Sequence, residues 1–110
     1  MIGCSDYSEL RKMEGMQGFS DIPESLEDIK VVYAGLRRLR FKREEITMLI
    51  DGVYMEVKMA IDQAMNAIYE NHCNGQNTLL FVYYAGHGVM DNYTYSVLNG
   101  GRRYKYPLER

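Results

Sequence analysis

The stretch Thr78-Leu79-Leu80-Phe81-Val82-Tyr83-Tyr84-Ala85-Gly86-His87-Gly88 constrains the fold more than any other part of the chain. Its first eight residues are mainly aliphatic, β-branched or aromatic with no polar alternation, which predicts a strand covered on both faces, as in a parallel sheet flanked by helices. The run stops at one imidazole held between two glycines. Without Cβ atoms on either side of His87 the backbone can turn sharply, and a ligand can approach it closely. Ligands of open α/β sheets collect at the carboxyl ends of strands, where this histidine is expected.

The rest of the chain fits around such a strand. Met1-Ile2-Gly3-Cys4 reads as the tail of a first apolar strand, and residues 5–20, with Gly15 and Gly18, read as a loop near the strand ends. Asp21-Ile22-Pro23-Glu24 is a helix-start signal, with Asp21 accepting from exposed amides and Pro23 in the first turn. Leu26, Ile29, Val32, Tyr33, Leu36 and Leu39 then form an apolar stripe to about Arg40. The cluster Arg37, Arg38, Arg40, Lys42 and Arg43 complements the carbonyl end of that helix; nucleic-acid binding is the alternative.

Residues 45–51 predict a second strand closed by Asp51-Gly52. A second helix follows, with Val57, Ile61, Ala64, Met65 and Ile68 on its apolar face and a left-handed stop at Asn74-Gly75. After the histidine strand come a loop through Asp91-Asn92, a shorter extended piece at residues 95–98, and Gly100-Gly101. Alternating strands and helices imply right-handed crossovers and a mainly parallel sheet with helices on both faces.

At 110 residues the chain is one domain at most, and 46% hydrophobic with 25% charged residues describes a globular composition. The formal charge of −2, from 13 basic and 15 acidic side chains, gives no global field toward nucleic acid or an anionic membrane. Two cysteines, Cys4 and Cys73, are too few for a disulfide scaffold; with no leader pattern visible, a reducing, cytoplasmic setting is expected. No apolar run approaches the ~20 residues that span a bilayer. Asn92-Tyr93-Thr94 fits a glycosylation sequon, read as a chance match in a loop. Neither a phosphate loop nor a complete dinucleotide fingerprint is present, since Asp91 stands where the third glycine would be. The tyrosines, among them Tyr83, Tyr84, Tyr93, Tyr95, Tyr104 and Tyr106, are read as core and rim.

Tyr83-Tyr84-Ala85-Gly86-His87-Gly88 resembles the catalytic-histidine motif of the caspase-like cysteine peptidases, above all the metacaspases, and the order of elements resembles that family's large-subunit half over nearly the whole chain. The resemblance implies a three-layer α/β/α sandwich with a mainly parallel sheet, present here as an incomplete domain over residues 1–110. It implies His87 as general base and acid, and the Gly88 amide as a donor to the developing oxyanion. It implies Asp28 in a pocket for a basic side chain, although Ser25 stands where metacaspases often carry an auxiliary cysteine and Ala85 where many have serine. The family's nucleophile follows the histidine after another helix and strand, in an acidic-Cys sequence. No such sequence occurs before Arg110, and Tyr106-Pro107-Leu108-Glu109 resembles the start of the helix leading to it.

Read from the turn alone, His87 is equally a histidine bonded to backbone. Cys4 reads as a small buried core residue, and Cys73, adjacent to His72 rather than at ligand spacing, does not read as a metal ligand. No metal or cofactor is expected. The partners expected are a peptide or protein substrate and either a C-terminal half or other protein chains. Two functions from different classes follow: a caspase-like cysteine endopeptidase, inactive as these 110 residues alone, or a non-catalytic caspase-like module acting in assembly or regulation.

Overall fold

Three short strands lie side by side and parallel: β1 (Ile2–Gly3) is central, with β2 (Leu49–Ile50) on one side and β3 (Tyr84–Ala85) on the other. The computed structural model describes residues 1–91 and 94–97, with residues 90, 91 and 94–97 described by their backbone alone. Four amides stitch the sheet, those of Leu49 to Met1 O, Asp51 to Gly3 O, Ile2 to Tyr83 O and Cys4 to Ala85 O, all at 2.8 to 2.9 Å. The parallel arrangement expected of the three strands is therefore present, although the third ends at Ala85 and not at Gly88. The protein has the coarse α/β character that the sequence predicts, with an open sheet.

The strands are joined by helices. After β1 a four-residue helix, α1 (Ser8–Arg11), interrupts the expected loop, and α2 (Glu24–Arg38) follows. Ile29, fully buried on α2, explains why β1 carries glycine: a Cβ on Gly3 would stand 2.8 Å from Ile29 Cγ1. Pro23 occupies the cap position of α2, and no side chain caps the helix, so the start is two residues later than a cap at Asp21 suggests. Asp21 is engaged elsewhere, as described below. The helix ends through Leu39 and a left-handed Arg40 (φ 72°).

Arg43–Glu45 form a single 3₁₀ turn, so the second strand is shorter than residues 45–51 suggest. Next comes α3 (Tyr54–Cys73), stopped by Asn74 and by Gly75 at φ 75°. Beyond β3, β4 (Gly88–Asp91) pairs antiparallel with β5 (Thr94–Val97). The expected sequon lies partly, and the expected Gly100-Gly101 stop and the stretch 106–109 lie wholly, outside the described residues.

Two expectations about burial are corrected. The apolar run 78–85 is not enclosed: Leu79 is 79% exposed and Leu80, Phe81 and Val82 are exposed, with only its last two residues in the ladder. Likewise α3 buries no residue, and Ile61 and Met65 of its predicted inner face are exposed. The two departures have one cause, because α3 (Ala60, Ile61, Ala64) and residues 80–82 face each other across an open groove and do not interlock. The core forms instead at the carboxyl edge of the sheet, where Cys4, Tyr7 and Leu10 are buried and Met16, Phe19, Ile22 and Tyr84 pack around them.

Candidate active site

The carboxyl edge is built from loops that the strands deliver to one place, and polar groups tie those loops together. At the end of β2, Asp51 adopts φ 51°, a left-handed conformation that aspartate tolerates better than most residues. Its carboxylate accepts from the Ser5 amide (2.8 Å), the Ser5 hydroxyl (2.6 Å) and the Asp6 amide (3.0 Å), binding the end of β2 to the turn after β1. Burial pushes the Asp51 carboxyl up, but the bonds from the Ser5 hydroxyl and the Asp6 and Ser5 amides outweigh it and hold the group below its usual range.

Asp21 ties the next segment. Its carboxylate accepts from the Tyr7 amide and from the Arg11 guanidinium, both at 2.8 Å, and Arg11 also reaches Phe19 O at 2.9 Å. The Arg11 bond is the main reason that the Asp21 carboxyl sits below its usual value. Loop 12–22 is thereby folded back over Tyr7, which brings Phe19 and Ser20 to the histidine.

His87 is half-buried at this edge. Its Nε2 lies 2.7 Å from Ser20 O. A carbonyl oxygen only accepts, so Nε2 carries a proton, and the neutral ring is the tautomer whose lone pair is on Nδ1. Nδ1 has no hydrogen-bond partner among the described residues. Two rings steady the imidazole edge-on, Tyr7 at 4.6 Å between centroids and Phe19 at 5.3 Å. Its backbone is held as well: the His87 amide donates to the Tyr7 hydroxyl and the Tyr84 hydroxyl donates to His87 O, each at 2.7 Å. The imidazole is thus fixed on the loop that the sequence suggested, with one nitrogen bonded to backbone and one without a hydrogen-bond partner among the described residues. Gly88 is the first residue of β4, opposite Val97.

Neither cysteine has the surroundings of a nucleophile. Cys4 is 1% exposed, and burial first, then the charge of Asp51, pushes its thiol up, against opposing bonds from the Tyr84 and Tyr7 hydroxyls. A thiol kept protonated and out of solvent is unreactive. Cys73 is exposed at the far end of α3, remote in the chain from the carboxyl edge. Asp28 is exposed on the second turn of α2 and makes no hydrogen bond or ion pair to a described residue, so no contact joins it to His87. Among the described residues no group of three His, Cys, Asp or Glu side chains is placed to hold a metal, and no helix is long and apolar enough to cross a membrane.

No family model matches the chain, and neither a curated protein nor a solved structure matches it. The chemistry of the edge therefore stands on its own geometry. Sequence reading missed Tyr7, Phe19, Ser20 and Asp21 as parts of the site, and read Tyr84 as packing alone. Beyond the Gly-His-Gly turn, Asp51-Gly52 carried a visible signal as a turn pair at a strand end and Asp21 one for a different role, a helix cap; the contact of Tyr7 with His87 spans 80 positions and leaves none.

Proposed function

We propose that this chain is the histidine-bearing half of a caspase-like cysteine endopeptidase domain, in the three-layer arrangement typical of that family, with His87 as its general base and acid. The observation that carries this reading is the tautomer: a bond from Nε2 to Ser20 O leaves Nδ1 as the free lone pair at the carboxyl edge of a parallel sheet. In the chemistry proposed, Nδ1 takes the proton of a thiol as its sulfur attacks the peptide carbonyl, and gives that proton to the departing amine. Water then attacks the thioester with Nδ1 again accepting a proton, which releases the acid and regenerates the thiol. The Gly88 amide is the proposed donor to the oxyanion, and Asp28 the proposed contact for a basic substrate side chain.

The thiol would be supplied from beyond Arg110, since Cys4 is enclosed and kept protonated. The test is peptide hydrolysis, with Arg, Lys or Asp before the cleaved bond, by the 110-residue chain and by a chain extended to include an acidic-Cys sequence. The extended chain is expected to show thiol-dependent turnover that His87→Ala lowers by at least about a hundredfold, the scale of a lost general base, while the 110 residues stay inert. An inert extended chain would favour the assembly or regulatory module. Turnover by the 110 residues that Cys4→Ala abolishes would make Cys4 the nucleophile and overturn its assignment to the core.

A further inference from the structure

The hydroxyls of Tyr7 and Tyr84 stand out because both bond the backbone of one residue. A buried phenol usually finds a hydrogen-bond partner. Here the Tyr7 oxygen accepts the His87 amide and the Tyr84 hydroxyl donates to the His87 carbonyl, both at 2.7 Å. They close against Gly86, where an added Cβ would stand 2.6 Å from each oxygen. Tyr7 in addition packs its ring edge-on to the imidazole, and its own amide is anchored by Asp21.

We propose that Tyr7 and Tyr84 form a hydroxyl clamp that positions His87, fixing both peptide groups of the residue so that its ring can reach only Ser20 O and must present Nδ1 outward. The proposal rests on the assignment of His87 as the base, and makes both tyrosines positioning residues that never touch substrate. The physical reason is economy of freedom. His87 lies between β3 and β4 and belongs to neither ladder, so nothing in the sheet fixes its φ and ψ. An exposed loop histidine at that point would sample several orientations, each of which forfeits the alignment that proton transfer requires. Side-chain bonds to its amide and carbonyl replace the missing ladder. Glycine at position 86 is what lets both phenols come close enough.

The clamp is tested by nitrogen-15 NMR of the 110-residue chain, which reads the tautomer of His87 directly and needs no peptidase activity. In the unaltered chain the Nε2-protonated form is expected to dominate, with the Tyr7 and Tyr84 hydroxyl protons exchanging slowly with water. In Tyr7→Phe, and more mildly in Tyr84→Phe, the tautomer ratio is expected to fall by about three- to tenfold, the effect of releasing an ordinary hydrogen bond. A substitution that only lowers stability leaves the ratio in the folded fraction unchanged. Unchanged ratios in both folded variants would overturn the clamp. So would freely exchanging phenol protons in the unaltered chain, a result that can be read even if a variant fails to fold. If the clamp is present and the extended chain hydrolyses nothing, the peptidase assignment fails and the clamp stands.

Discussion

Residues 79–82 and residues 84–87 belong to one extended segment and meet opposite fates. The first four are among the most apolar in the protein and lie exposed beside α3, whereas the second four are locked into the carboxyl edge by the ladder, two phenols and a backbone carbonyl. Apolar character therefore does not decide which half is held. The carboxyl half is held because loop 5–22 returns over it and supplies partners; the amino half has only the open groove against α3.

Gly86→Ala should break the ordered half most severely. The new methyl would overlap both Tyr7 and Tyr84 oxygens at 2.6 Å, and overpacking of this kind costs up to about 3 kcal/mol. Urea unfolding is the measurement, and a loss under 1 kcal/mol would mean that the two phenols do not close on the glycine.

Asp51→Asn isolates the carboxylate charge, since asparagine also tolerates the left-handed backbone at φ 51°. Losing charge-assisted bonds from Ser5 and Asp6 should cost about 1.5–3 kcal/mol at neutral pH. The sign with pH follows from a folded-state value held below the unfolded one near ~3.9. The stabilisation is fully present above that unfolded value and is lost as pH falls toward and through the folded one, so the gap between the native chain and Asp51→Asn should close in acid.

Thiol labelling compares the two halves without a mutation. Cys73 is exposed and should react at the rate of a free thiol, whereas Cys4, enclosed and kept protonated, should react only as the edge opens. Equal rates would place the Cys4 thiol in solvent. On the open side, Leu79→Ser or Met65→Gln removes little buried surface, and either should change stability by no more than about 0.5 kcal/mol. A loss of 2 kcal/mol there would mean that the groove is closed in solution.

The same division explains what was legible in the sequence. Local signals match the structure at the strand tails Ile2–Gly3 and Tyr84–Ala85, at Ile29 and Leu36 of the α2 stripe, whose last member Leu39 is exposed, at the glycine stop Gly75 and at the turn at Asp51. Composition misled where it was strongest, because residues 79–82 and Ile61 carry the hydrophobicity of a core but meet no interlocking surface. At the site, the Gly-His-Gly turn announced the imidazole, but its tautomer depends on the carbonyl of Ser20, and a backbone group has no sequence signature. Asp21 shows the limit of local rules: its position suits a helix cap, yet its carboxylate goes to the Tyr7 amide and to Arg11, both of which tertiary folding brings closer.

Amide hydrogen exchange tests the central claim most directly, that His87 is presented by a pre-organised edge and not by the burial of the strand before it. The amides of Cys4, Tyr7 and His87, bonded to Ala85 O, the Asp21 carboxylate and the Tyr7 hydroxyl, should be protected together and open as one unit. Those of residues 79–82 should exchange at least about a hundredfold faster. Protection of 79–82 equal to that of His87, or a His87 amide that exchanges as freely as an exposed loop, would contradict the account.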